Sequence, residues 1–243
     1  MTKLSVNINK IATIRNARGG NTPSVVEAAI NCQKFGADGI TIHPRPDERH
    51  ITKKDVYDIK PIISTEYNIE GYPSPDFIKM VIDILPEQVT LVPDGPDVIT
   101  SCAGWDTIKF QDYLKEIIAE FKEHGIRTSI FIDTNFKLIE AAATTGADRI
   151  ELYTEEYATQ FALGNKKAIE PFTKSAILAT ELGLGINAGH DLSLDNIQFF
   201  AENVPNLLEV SIGHALISES LYLGLENVVN MYKYRLKSKK LKS

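Results

Sequence analysis

The sequence predicts an α/β fold, a (β/α)8 TIM barrel. Three observations carry that expectation. Short runs rich in Ile and Val alternate with helical patterns eight times along the 243 residues. Such alternation argues for a parallel sheet with crossover helices. Four helix-to-strand joints, at Gly36, Gly125, Gly146 and Gly183, put glycine where a helix should stop. Glycine takes the left-handed conformation there at little cost. Eight such units fit the usual barrel length of about 250 residues. A doubly wound open sheet is the alternative, but no G-x-G-x-x-G follows the first strand.

The elements follow in order. Strands are expected at 4–8, 39–43, 67–70, 88–92, 128–132, 149–152, 185–187 and 209–212. Each is a short, near-continuous apolar run, which suits a sheet buried on both faces. Helices are expected between them, at 23–34, 53–63, 75–84, 105–123, 136–144, 166–181, 194–202 and 218–236. No interdomain linker interrupts the series, so residues 1–243 read as one domain, with 237–243 a solvated Lys-rich tail. The longest irregular stretches, 93–104 and 153–165, follow strands, where barrels carry their active-site loops.

Composition narrows the function. Apolar residues make up 43% and charged residues 24%, enough for a full core. The net charge of −6 argues against nucleic acid as a partner. A phosphate group would need locally placed cations instead of a basic field. No stretch nears the roughly 20 apolar residues of a membrane span, and no signal peptide is visible. A soluble cytoplasmic protein is expected. Cys32 and Cys102 have neither metal-ligand nor disulfide-framework spacing and read as packed or loop thiols.

Chemistry collects at the predicted strand ends. The second strand ends on His43 and runs into Arg45, Arg49 and His50, stiffened by Pro44 and Pro46. Imidazole moves protons near neutral pH, and arginine forks hold phosphate bidentately. Asn7, Asn9, Lys10 and Arg18 follow the first strand, Glu70 ends the third, Thr100 follows the fourth, and Glu151 lies on the sixth. Gly189-His190-Asp191 and Gly213-His214 follow the seventh and eighth. Any one of these also reads as a hydrogen-bonded structural group. A barrel, however, gathers all the strand ends on one face. His43, Glu70 and His190 are candidate acids and bases, and three such groups suit multi-step proton traffic better than one hydrolysis. The last two glycine segments sit where barrels often bind phosphate. Metal ligation competes for His43, Glu70, Glu151, His190 and His214, without any H-E-x-x-H spacing to support it. No lysine ends a strand, which weighs against a Schiff-base enzyme; Lys10 is the nearest.

Several segments together resemble the pyridoxine 5′-phosphate synthase family of vitamin B6 biosynthesis. They are Val6-Asn-Ile-Asn-Lys-Ile-Ala-Thr-Ile-Arg-Asn-Ala-Arg-Gly19, Gly36-Ala-Asp-Gly-Ile-Thr-Ile-His43, Arg49-His-Ile51, Asn68-Ile-Glu70, Asn187-Ala-Gly-His190 and Ile212-Gly-His-Ala215. The resemblance runs from the first strand to the last helix. It implies a (β/α)8 barrel with extra helices, and condensation of 1-deoxy-D-xylulose 5-phosphate with 3-amino-2-oxopropyl phosphate, giving pyridoxine 5′-phosphate, phosphate and water. It implies no metal or organic cofactor, a homo-octamer, and two phosphorylated small molecules as partners. By motif, it makes His43 and Glu70 proton acceptors, His190 the proton donor and Glu151 a transition-state stabiliser. Asn9, Lys10, Arg45, His50 and Thr100 would hold the deoxyxylulose phosphate. Asn7, Arg18, Asp191, Gly213 and His214 would hold the aminoketone phosphate. Arg49 stands as a structural or solvated residue.

The chain departs from the family pattern in three places. Asn9-Lys10 stands where Asp-His is common, and Asp191 where glycine is common. The Asp191 carboxylate would repel phosphate, so its contact is expected through the backbone N–H. The loop after Pro93 lacks the usual basic residues and is expected to close as a lid. A sugar-phosphate isomerase and a non-catalytic sugar-phosphate-binding barrel are the competing readings.

Overall fold

A computed structural model describes residues 1–93 and 103–237. Eight parallel strands follow one another around a closed barrel: β1 (Lys3–Asn7), β2 (Gly39–Ile42), β3 (Glu66–Gly71), β4 (Gln88–Leu91), β5 (Arg127–Ile132), β6 (Arg149–Leu152), β7 (Gly185–Ala188) and β8 (Leu207–Ile212). β8 pairs back onto β1 with Val210 opposite Leu4, so the sheet has no free edge. Around it lie α1 (Asn9–Asn16), α2 (Val25–Lys34), α3 (Lys53–Ile59), α4 (Pro75–Ile84), α5 (Gln111–Glu123), α6 (Phe136–Ala143), α7 (Glu155–Ala162), α8 (Glu170–Glu181), α9 (Ile197–Asn203), α10 (His214–Leu223) and α11 (Leu225–Lys237). The closed, eight-stranded parallel sheet bears out the expected fold.

Local signals start and stop these helices. Ser24 and Ser74 accept the backbone N–H groups of Glu27 and Phe77, capping α2 and α4. Thr52 and Asp55 form a reciprocal capping box on α3. All four glycines expected to end helices have positive φ. Two helices escaped the sequence reading. α1 occupies the segment after β1, and α7 lies inside the stretch expected to be irregular. The single helix expected at 218–236 is two, broken at Gly224, whose φ is +81°. The α5 segment begins at Gln111, not at Trp105.

The strands differ from the expected apolar runs. Leu4, Val6, Tyr67, Ile69, Ile150 and Ile186 belong to the apolar core. The residues between them are polar and meet across the interior. Ser5 and Thr41 share a 2.6 Å hydrogen bond, Thr90 donates to Asn68 at 3.1 Å, and Asn187 on β7 reaches Gln88 on β4 at 3.5 Å. Contacts between non-neighbouring strands can only cross the barrel lumen. Period-2 alternation therefore sorts each strand into an apolar face toward the helices and a polar face inward. Each fully buried aliphatic side chain on the outer face contributes about 1.5–3 kcal/mol.

At the N-terminal floor the polar layer is ionic. Lys3 and Arg127 reach Glu66 at 2.7 and 3.1 Å, and Arg149 lies 3.7 Å from Glu209. The opposite end of the same alternation opens on the site.

Candidate active site

The C-terminal ends of the strands enclose a cavity of about 640 Å³. It is lined by Asn7, Asn9, Lys10, His43, Arg45, His50, Glu70, Glu151, His190, Asp191, Gly213 and His214. Twelve of the expected site residues thus come together from six strands. Arg18 does not. It follows the end of α1, is exposed, and is not among the residues lining the cavity of this single chain. Thr100, Cys102 and most of the expected lid lie outside the described residues, as do residues 238–243 of the expected tail.

A chain of amides ties the first three strands together at the mouth. The backbone N–H of His43 donates to Asn9 Oδ1 at 2.9 Å, and that of Asn9 donates to Asn7 Oδ1 at 3.0 Å. Asn7 Nδ2 then donates to Glu70 Oε2 at 3.3 Å. Ser211 Oγ, from β8, lies 3.5 Å from the other carboxylate oxygen. Asn7 and Asn9 therefore orient the two candidate bases. Carboxamides do this without adding charge to the pocket.

Burial and neighbouring cations push His43 down to about 3, so its ring is neutral throughout the physiological range. Arg45, His50 and His190 add to the effect of burial. His50 meets it edge-on, with ring centroids 6.2 Å apart. Burial, with Lys10 and Arg45 nearby, lowers His50 to about 4. The backbone N–H of Ile51 donates to His50 Nδ1 at 2.9 Å. The neutral ring thus carries its proton on Nε2 and still serves as a hydrogen-bond donor.

Glu151 behaves oppositely. It is 4% exposed, and burial together with the Glu70 and Glu209 charges raises it well above the usual carboxyl value. Its neutral form, the one able to donate a hydrogen bond, is therefore favoured. Across the mouth, His190 packs edge-on against Tyr153 and Phe131, at 5.7 and 6.3 Å. Its Nδ1 lies 2.8 Å from Asp191 Oδ2.

The loop bearing Arg45 and His50 is held from below. Arg15 makes two hydrogen bonds to the Asp55 carboxylate, at 2.5 and 2.9 Å, and a third to the His50 carbonyl at 3.2 Å. Asn16 donates to the same carbonyl at 2.9 Å. Arg45 is 6% exposed, although it lines the cavity.

Gly189 is required where β7 leaves the barrel. A Cβ there would lie 2.0 Å from the Ser211 carbonyl oxygen. α10 begins at His214 with Gly213 before it, so its first N–H groups open onto the cavity.

Sequence reasoning missed Thr13, Arg49, Val92, Phe131 and Ser211, all of which line the cavity. Arg49, expected as a structural or solvated residue, pairs with Asp47 at 2.7 Å and also lines the cavity. Ser211 and Phe131 are inward positions of β8 and β5, and the strand period would have found them. Among the described residues, no three His, Cys, Asp or Glu side chains form a group suited to a metal ion. Cys32 is buried, and burial raises its thiol to about 12. No helix among the described residues is long and apolar enough to cross a membrane.

Comparison with known proteins bears on the fold and the family. Two solved structures share the barrel at low identity. Phosphoribosylanthranilate isomerase of Thermotoga maritima gives a TM-score of 0.63 at 14% identity, covering 98% of this chain and 99% of that one. Tryptophan synthase of M. tuberculosis gives 0.65 at 13%, covering 98% and 93%. These likenesses concern the fold alone. The sequence relatives are much nearer. A pyridoxine 5′-phosphate synthase of Flavobacterium johnsoniae is 68% identical over 237 residues, 98% of this chain and all of that protein. Its counterpart in Bacteroides fragilis is 60% identical over 233 residues, 96% of this chain and 98% of that protein. The family model for the pyridoxal phosphate biosynthesis protein PdxJ matches residues 4–238, and the chain belongs to that family.

Proposed function

We propose that this protein is a pyridoxine 5′-phosphate synthase, joining 1-deoxy-D-xylulose 5-phosphate and 3-amino-2-oxopropyl phosphate with release of phosphate and water. One observation carries the reading: His43, Glu70, Glu151 and His190 line the same cavity as the cations Lys10, Arg45 and Arg49. A binding module would need the cations but not the four proton-handling groups. An isomerase acting on one substrate would leave one end of the cavity without a task.

The roles follow from the environments. Lys10, Arg45, Arg49 and the Nε2–H of His50 form one phosphate site, on the loops after β1 and β2. Gly213 and the N-terminus of α10 form a second, where the helix dipole favours an anion. Condensing an amine with a ketone expels water, so protons must leave nitrogen and reach oxygen. Neutral His43 and the Glu70 carboxylate accept them. Glu151, kept protonated, donates a hydrogen bond to developing negative charge. His190 returns the proton to a leaving oxygen. The Arg18 and Thr100 contacts rest on the family resemblance alone, as do a cytoplasmic location and an octameric assembly. The apolar surface of Leu221, Tyr222, Leu223 and Tyr234 on α10 and α11 supports self-association.

Mixing both phosphorylated substrates with the pure protein, without added metal, tests the reading. The expected result is growth of the pyridine chromophore. No chromophore, with turnover of either substrate alone, would favour the isomerase.

A further inference from the structure

The family pattern places glycine after the proton-donating histidine, and this chain has Asp191. A carboxylate is a poor neighbour for a phosphate, and the structure gives it another partner. Asp191 Oδ2 lies 2.8 Å from His190 Nδ1. The backbone that carries this carboxylate is held on both sides. Its N–H donates to Thr154 Oγ1 at 3.3 Å, and its carbonyl accepts Asn196 Nδ2 at 3.3 Å. Thr154 is fully buried. The N–H expected to meet the phosphate is thus already engaged.

We propose that Asp191 is a positioning residue for His190: its carboxylate accepts Nδ1–H, turns Nε2 to the cavity, and holds the ring as the imidazolium acid of the reaction. The proposal rests on the synthase reading for its catalytic half only. A hydrogen-bonded carboxylate fixes the histidine tautomer and favours the charged ring. His190 then gives the Nε2 proton to the leaving oxygen as that oxygen's bond to carbon breaks, and keeps Nδ1–H on Asp191. The ring is left neutral and takes a proton from solvent for the next cycle.

The surroundings divide the two histidines. His43 is buried among cations, so it stays neutral and basic. His190 has side-chain exposure of 36% and touches a carboxylate. Among the described residues, Asp191 from its own loop, Glu151 from β6, Tyr153 just beyond β6, and His43 from the end of β2 face His190. Glu151 is largely neutral through burial, and the Tyr153 hydroxyl donates to Glu155 at 2.7 Å. Asp191 is a carboxylate in direct hydrogen-bond contact with the ring. A ring kept neutral among cations suits a base, and a ring hydrogen-bonded to a carboxylate suits an acid.

The test is a nitrogen-15 titration of the five histidines in the full chain, with His190 assigned by loss of its signals in His190→Gln. Asp191→Asn keeps the shape and removes the charge, and Asp191→Gly restores the family residue. In the native protein the neutral ring of His190 should carry its proton on Nδ1. Both variants should lower its titration midpoint by about one pH unit. The alkaline limb of the kcat profile should move down with it, a roughly tenfold loss of activity at a pH above both midpoints. An unchanged midpoint and tautomer in both variants would overturn the pairing, whether or not the enzyme makes pyridoxine 5′-phosphate. A moved midpoint with a fixed kcat limb would overturn the acid role. A folded native protein that makes no product would sink the synthase reading and leave the pairing to the titration.

Discussion

Arg15 and Asp55 grip each other through two hydrogen bonds, both side chains under one-tenth exposed, directly beneath the loop that carries Arg45 and His50. The pair joins α1 to the first turn of α3, and Arg15 extends it to the His50 carbonyl. Arg15→Ala would leave the Asp55 carboxylate buried without its cation. A loss of about 3–5 kcal/mol in denaturant unfolding is expected. Arg15→Lys cannot make the bidentate grip and should recover part of that stability while raising KM.

Glu70→Gln and His43→Ala should each leave the melting temperature within a few degrees of native and lower kcat by about 10² to 10⁴-fold. Steady-state kinetics with both substrates checks this. Full ring-forming activity in both variants would disprove their assignment as bases.

The His43 ring, held down to about 3, should stay neutral between pH 8 and pH 5. Its nitrogen-15 shifts are expected to remain constant over that range. A midpoint near 6 for His43 would mean that the buried, cation-ringed environment does not govern it.

Glu209, on the barrel floor, holds a proton that it shares with Glu66. Burial and the Glu66 charge raise it to about 7. Glu66 moves the other way: burial opposes its ionisation, but Lys3, the Glu209 proton and Arg127 outweigh that. From about pH 4.5 to 7 the folded protein keeps the Glu209 proton that the unfolded chain has lost. Its contribution to stability is therefore whole below that window and lost above it. Glu209→Gln retains a donor toward Glu66 and cannot ionise. Relative to native, it should gain about 1–2 kcal/mol as pH rises from 5 to 8. Melting curves across that range read the difference directly, and parallel curves would refute it.

Gly189→Ala drives a methyl group into the Ser211 carbonyl of the neighbouring strand. Backbone cannot yield as a side-chain tip does, so about 1–3 kcal/mol of stability should be lost. His190 follows directly in sequence, so kcat should fall further than stability alone explains. Kinetics well below the melting transition separate the two effects.

Much of the fold was legible in the sequence for local reasons. Glycines at 36, 125, 146 and 183 stop helices through their own backbone freedom. β6 was read at its observed bounds because an Ile- and Leu-containing run ends where turn residues begin. α1 was not legible, since a helix of eight residues with low apolar content has a weak period. Nor was α7, whose helical face is defined by packing of Tyr157 against Phe172 and Phe200.

By itself the sequence determined the barrel and the set of strand-end residues, because periodicity and chain order act over a few residues at a time. Only the tertiary structure decided which of those residues share a charge environment. Arg18 and His50 look alike as cationic candidates, yet one is exposed and the other lines the cavity. Asp191 reads as an obstacle to phosphate until His190 is seen on its carboxylate. Protonation is set by burial and by partners a few ångströms away through space, and those distances exist only once the barrel has closed.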